Sequence, residues 1–256
     1  MRLGVCYVCP VVNWPQFEPL TRRFLATSAA FPAEHPHEFH VVCNGGVPNT
    51  DVLNLFSDRN PVYHQHDNTG WDIGAFQKVA AGVDCDLMLF LGTNTHFKRA
   101  GWLHRLMEAR EQFGPGLYGP SASFDICPHI RTTAFMCDPK LVRAWKHTVI
   151  HPGDRHKFEV GADSLTTIAH RQGLPRILVT WDGFYEQKDW RKAPNLFRRG
   201  DQSNCLIYDR HHELYEAASP AQKIRLGRIA DGNKFEFYRS AIETRLNRWL
   251  KPKKQL

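Results

Sequence analysis

The chain has 256 residues, 42% of them hydrophobic, 23% charged and 12% aromatic, which suits one large soluble domain with its own core. No stretch approaches the roughly 18 uninterrupted apolar residues of a membrane span, so an integral helical membrane protein is excluded. The net charge is +7, but Ser219 to Leu256 alone carries ten Lys/Arg against three acids, leaving residues 1 to 218 balanced with 23 charges of each sign. Basicity confined to a tail argues against a nucleic-acid-binding fold with a broad basic face and for local attraction to an anionic surface.

The first ten residues hold one positive charge, a short apolar run and no small-residue cleavage site, so they read as a first strand rather than a signal peptide and point to the cytoplasm. The seven cysteines are an odd number, scattered mostly through apolar segments, which fits reduced buried thiols. Cys6 and Cys9 form a C-x-x-C, but within a strand an offset of three sends the side chains to opposite faces, so the pair reads as packing rather than a metal or redox motif.

In chain order, Leu3 to Val12 is apolar and β-rich, and Gln16 to Phe31 carries a helical stripe of Phe17, Leu20, Phe24 and Leu25. Glu38 to Cys43 is a second strand, closed by the turn signal Asn44-Gly45-Gly46 and followed by a short helix over Asp51 to Phe56. Val62 to His66 predicts a third strand before the loop Asp67 to Gly70, and Ile73 to Val83 predicts a helix. Leu87 to Leu91 is wholly apolar, the signature of a central strand buried on both faces. This alternation predicts an α/β fold with a mostly parallel sheet and helices on both sides, spanning residues 1–215, with a basic helical extension over 216–256. In such sheets ligands bind beyond the carboxyl ends of the strands, which directs attention to the loops at Pro10 to Trp14, Asn44 to Gly46, Asp67 to Gly74 and Gly92 to Phe97.

The order of three segments resembles the nucleotide-sugar-binding half of GT-A glycosyltransferases, in particular family-two-like enzymes and bacterial proteins of rhamnan and other surface-polysaccharide synthesis. They are Asn68-Thr69-Gly70-Trp71-Asp72-Ile73-Gly74-Ala75, the apolar run ending in Gly92-Thr93-Asn94-Thr95, and Gly101-Trp102-Leu103. Gly119-Pro120-Ser121, His129 to Phe135 and Glu159 to Asp163 follow in the family's order, so the resemblance covers roughly residues 1 to 185. It implies a GT-A-like fold, a nucleotide-sugar donor and a glycan or lipid-linked acceptor, with Pro10, Asn44, Asn68, Asp72, Thr93 and Asn94 as donor-site candidates. Asn68 also suits a turn, and Asp72 also suits a helix cap.

Where the family has D-x-D, this chain has Gly92-Thr93-Asn94, with no carboxylate for a hard cation such as Mg²⁺ or Mn²⁺, so no metal or other cofactor is expected. Asp84-Cys85-Asp86 has the D-x-D spacing but precedes the apolar strand, at the amino edge of the sheet, and reads as a solvated strand start. Without a metal, a departing diphosphate needs guanidinium groups. Arg198 and Arg199, in a segment resembling the one that closes over the donor, and Arg131 are the candidates; surface ion pairs are the alternative for each. Inversion at an anomeric carbon needs a carboxylate to take the acceptor proton. The resemblance points to Asp163, which would serve equally as a helix N-cap, with Glu159 in reserve.

Two other functions share this architecture. A non-catalytic member would bind the same donor or a glycan without transfer, and a sugar-1-phosphate nucleotidyltransferase would need a Gly-rich loop with Arg and Lys after the first strand, which the sequence lacks. In the tail, Phe235, Tyr238, Ile242, Leu246 and Trp249 line one helical face beside Arg239, Arg245 and Arg248. That face would either pack on the body or dock the protein peripherally on the anionic inner face of the membrane.

Overall fold

A computed structural model describes residues 1–194 and 196–239. Its first half alternates strictly: β1 (Leu3–Pro10), α1 (Trp14–Ala30), β2 (Glu38–Asn44), α2 (Thr50–Leu55), β3 (Val62–His66), α3 (Trp71–Gly82), β4 (Leu87–Leu91) and α4 (Trp102–Phe113). The later strands are short: β5 (Leu117–Gly119), β6 (Ala122–Ser123), β7 (His129–Ile130) and β8 (Ala134–Cys137). They are followed by α5 (Pro139–Ala144), α6 (Arg155–Glu159), α7 (Leu165–Arg171), β9 (Arg176–Val179), β10 (Phe184–Glu186), α8 (Arg210–Glu216) and α9 (Pro220–Ala230).

Eight strands form one sheet in the order β3-β2-β1-β4-β8-β5-β9-β10, and β6 pairs with β7 in a separate ribbon. β1 runs parallel to β2 and β4, as do β2 to β3 and β5 to β9, while β8 is antiparallel to both β4 and β5, and β10 to β9. The α/β architecture with helices on both faces matches the sequence expectation. The inverted β8 was not legible, because a four-residue apolar strand gives no sign of its direction.

Period-two alternation splits β1 between two cores. Val5, Tyr7 and Cys9 pack with Phe24 of α1 and Trp102 of α4, whereas Cys6 and Val8 pack with Phe76 of α3, Leu141 of α5 and Leu165 of α7. The rings of Tyr7 and Phe24 stack at 3.9 Å on one side, those of Phe90 and Phe135 at 4.9 Å on the other. Cys6 and Cys9 therefore lie on opposite faces, and all seven cysteines are free thiols. α1 starts two residues before its predicted start because Pro15, which lacks an N–H, fits the first turn where no donor is needed.

The sequence boundary at 215/216 falls inside α8. α9 lies against the body: Ile229 and Ala230 are buried, Phe124 N donates to Ala230 O at 2.8 Å, and Arg199 pairs with Asp231 at 3.0 Å. Residues 234–239 are helical, with Phe235 and Tyr238 exposed. Ile242, Arg245, Leu246, Arg248 and Trp249 lie outside the described residues.

Candidate functional site

β1, β2, β3 and β4 all end on the same edge, at Pro10, Asn44, His66 and Leu91. There the N–H of Gly92 donates to Thr133 O at 2.9 Å, seating the segment after β7 on the end of β4. That segment is held from behind, since Arg131 N donates to Ser121 O and Ile130 N to Thr166 Oγ1 of α7, each at 3.0 Å. A cavity of about 220 Å³ opens beside it. Asp72 and Ile73 of α3, Arg131 to Thr133, Arg155, His156 and Glu159 of α6, and His211 of α8 line the cavity.

Asp72 stands in the first turn of α3, with its carboxylate turned toward β4. A Cβ on Gly92 would lie 3.2 Å from Asp72 Oδ2, so the carboxylate fills the space a side chain at 92 would need. Burial raises its pKa to about 6, against the pull of Arg155. The N-cap position of α3 is Gly70, so Asp72 stands inside the first turn and not at the cap.

Arg131 is nearly buried, its Nε 3.4 Å from Glu159 Oε1, and its guanidinium lies 3.9 Å from the centre of the Phe197 ring. Glu159 Oε1 also accepts the N–H of Thr132 at 3.1 Å. Burial pushes the Glu159 carboxyl up, but Arg131, His129 and the Thr132 N–H outweigh it and hold the group below its ordinary range. Arg198 also approaches Phe197, at 4.7 Å, and donates to His211 Nδ1 at 2.8 Å. Burial, with Arg131 and Arg198 adding to it, pushes His211 down to about 4, so its ring is a neutral acceptor. Arg131 and Arg155 thus line a cavity whose carboxylates are Asp72 and Glu159, and Arg198 stands behind His211, within reach of the charges of Asp125 and Asp209.

The structure brings Asp72, Glu159 and Arg131 of the sequence candidates together in the cavity lining, with Arg198 behind His211. Asp163 does not line this cavity; it stands half exposed and pairs with Arg171 at 3.0 Å and His147 at 3.6 Å. Nor does it cap α7, because Ser164 takes that role by accepting the Thr167 N–H. Arg199 is also placed elsewhere, bonding Asp231 and the carbonyls of Arg191 and Ala193. Thr93 is buried with its hydroxyl donating to Val8 O at 3.0 Å, and Asn94 O accepts from Arg23. Asn44, 2% exposed, donates to Asn68 Oδ1 at 2.8 Å and joins the ends of β2 and β3 beside His66; Asn68 has a φ of 73°, the turn role its type suits. Pro10 closes β1, buried.

Sequence reasoning missed Arg155, His156 and His211. None falls on an apolar period or in a tight ligand spacing. The one available signal was the density of titratable residues around 151–157 and 209–212.

No family model matches the chain, and no curated protein matches it. Similar solved structures include a putative glucose-1-phosphate thymidylyltransferase from Bacillus anthracis in complex with sucrose, at 12% identity and TM-score 0.47, covering 67% of this chain and 84% of that one. Another is a mannosyltransferase from Pyrobaculum calidifontis in complex with GDP-Man and Mn²⁺, at 11% identity and TM-score 0.45. That match covers 65% of this chain and 50% of the mannosyltransferase. These likenesses are distant, and the chemistry of the cavity rests on its own residues.

At the position that the resemblance associates with D-x-D, Gly92-Thr93-Asn94 offers a divalent cation no carboxylate. The Thr93 hydroxyl is spent on β1, and of the cavity's carboxylates Asp72 has the Arg155 cation as a neighbour and Glu159 is paired with Arg131.

Proposed function

We propose that this protein is a nucleotide-sugar-dependent glycosyltransferase that works without a metal, passing a sugar to a glycan or lipid-linked acceptor. The observation that carries the reading is the convergence of Arg131 and Arg155 with Asp72 in the cavity at the carboxyl edge of the sheet, with Arg198 behind His211. Guanidinium groups recognise phosphate oxygens bidentately and would stabilise the charge on a departing nucleoside diphosphate. In a direct displacement, the acceptor oxygen bonds to the anomeric carbon as the bond from that carbon to the diphosphate oxygen breaks. The acceptor proton passes to Asp72, whose raised pKa makes it a better base than Glu159, which Arg131 holds ionised. Asp163, on the surface, drops out of this role.

The same cavity would serve a non-catalytic nucleotide-sugar binder, and the internal use of Thr93 favours keeping that reading open for test. Calorimetric titration with UDP, GDP and dTDP, followed by nucleotide release from the matching sugars, decides between them. Binding and release, each lost in Arg131→Ala and unaffected by EDTA, are the expected results. Binding with no release or transfer on any acceptor extract selects the binding module, and binding of none of the three nucleotides sinks both.

A further inference from the structure

At the opposite, amino edge of the sheet, three side chains of different chemistry converge. Glu38 and His40 come from one strand, β2, and Cys85 from the segment leading into β4, so they meet across β1, which lies between those strands. Glu38 Oε2 is 3.6 Å from His40 Nε2 and 3.9 Å from Cys85 Sγ, and Cys85 Sγ is 3.9 Å from His40 Nε2. Among the described residues this is the group of His, Cys and acidic ligands whose donor atoms all lie within 4.8 Å of one another.

We propose that Glu38, His40 and Cys85 bind a divalent transition-metal ion of the zinc class. Tetrahedral zinc with bonds of about 2.0 Å to oxygen, 2.05 Å to nitrogen and 2.3 Å to sulfur sets its ligand atoms about 3.3 to 3.6 Å apart. The oxygen–nitrogen pair belongs at about 3.3 Å and the two pairs with sulfur at about 3.5 to 3.6 Å, so each observed separation is a few tenths of an ångström longer than its own ideal and a small inward movement closes the triangle. The Glu38–His40 separation is too long for an N–H···O bond, which spans about 2.7 to 3.2 Å. A thiol, an imidazole and one carboxylate match a borderline-soft ion rather than Mg²⁺ or Ca²⁺.

The surroundings are arranged as a ligand shell needs. His40, 3% exposed, has its other ring nitrogen, Nδ1, 3.0 Å from His64 Nε2 of β3. Such a partner fixes the tautomer that leaves Nε2 free for a metal. Arg2 Nη2 donates to both oxygens of Glu38, at 3.2 Å to Oε1 and 3.5 Å to Oε2, and Oε2 is the oxygen that also faces His40 and Cys85. Gly4 of β1 supplies the room: a Cβ there would lie 3.2 Å from both Cys85 Sγ and His40 Cδ2. Three protein ligands leave a fourth position for water on the side where Glu38 meets solvent. The ion would tie β2 to the start of β4 across β1, far from the cavity at the carboxyl edge, so the site is independent of the transfer reaction.

The full chain, stripped of metal with a chelator and dialysed, is titrated with Co²⁺ and then Zn²⁺. One equivalent of Co²⁺ should bring a thiolate-to-cobalt charge-transfer band in the near ultraviolet and tetrahedral visible bands, all displaced by Zn²⁺. Cys85→Ser should abolish the charge-transfer band, and His40→Gln should weaken binding at least 10-fold. His64→Ala, which removes no ligand, should keep the band while weakening binding about 10- to 100-fold. A band absent from the native chain, or one that survives Cys85→Ser unchanged, overturns the proposal. Should His40→Gln not fold, Cys85→Ser alone decides, since that half-buried thiol accepts a hydroxyl without repacking.

Discussion

Asp72 is the residue on which the chemistry of the cavity turns, and its protonation makes a prediction independent of any substrate. Its carboxyl has an ordinary value of 3.8 and is raised by burial to about 6. The folded state therefore holds that proton more tightly than the unfolded one, and stability falls as pH rises through this window. Above it the ionised group costs on the order of 2 kcal/mol. Asp72→Asn keeps the shape and removes the charge, so it should melt higher than the native protein at pH 7 and no higher at pH 4. In a working transfer assay the same variant should lose roughly 10²-fold in turnover, the usual scale for a general base. Equal melting at pH 7 would show that the carboxylate is solvated after all. Asp209 and His212 present the reverse case. Burial alone would pull His212 down, but Cys205 and Asp209 raise it to about 10, and Asp209, bonded to its Nδ1 at 2.8 Å, is held well below the carboxylate range. The stability this pair supplies is complete between the ordinary carboxylate and histidine values; it is lost as pH climbs toward 10 and, through Asp209, as pH falls below the ordinary carboxylate value. Since both groups are almost wholly buried, His212→Gln would strand the Asp209 charge. A loss of about 3 kcal/mol at pH 7, shrinking toward pH 10, is expected in urea unfolding.

At the scale of elements, α3 shows why the sequence was most readable where it resembled something. The second glycine of its motif, Gly74, has no room for a side chain: a Cβ would lie 1.9 Å from Thr69 O and 2.9 Å from His66 Cε1. The helix can cross the end of β3 this closely only with a hydrogen at that position, and the crossing aims Asp72 at Gly92. Gly74→Ala should cost about 3 kcal/mol or more and shift α3, lowering both the melting temperature and nucleotide binding. Native melting in that variant would mean the loop at 68–70 yields freely. β1, β2 and β4, with α1 and α3, were legible because each carries an apolar run or stripe of its own. The wall made by α6 and α8 was not, since five- and seven-residue helices rich in Arg and His show no such period, and the side chains they deliver meet only through tertiary packing. The resemblance named Arg198 and Arg199 as a pair, yet adjacent residues diverge: Arg198, at a φ of 56°, turns to His211 while Arg199 turns to Asp231. No periodicity distinguishes such neighbours. Nor could the sequence separate Asp163 from Ser164 as the cap of α7, because both types accept from the first free N–H groups of a helix.

For the molecule as a whole, charge is divided unevenly between a neutral body and a basic end, and the structure refines where that end begins. α9 cannot be part of a detachable anchor, because its last turn is buried and bonded to the body through Ala230, Asp231 and Arg199. No described helix is long and apolar enough to cross a membrane. Beyond residue 233, Phe235 and Tyr238 stand exposed, 74% and 63%. The apolar stripe that starts with them has Arg239, Arg245 and Arg248 beside it, and Lys251, Lys253 and Lys254 follow. Each such cation near an anionic leaflet contributes about 1 kcal/mol at physiological salt, and rings at the interface add to that. The full chain should therefore float with vesicles containing anionic lipid and not with neutral ones, and should be released by salt. Truncation after Tyr238, which spares α9 and the ion pairs of its Arg225 and Arg228 with buried Glu236, should sharply reduce flotation while leaving the melting temperature and nucleotide binding in place. Equal and negligible flotation with both vesicle types at low salt would instead mean that the stripe packs on the body and that the basic residues serve solubility alone.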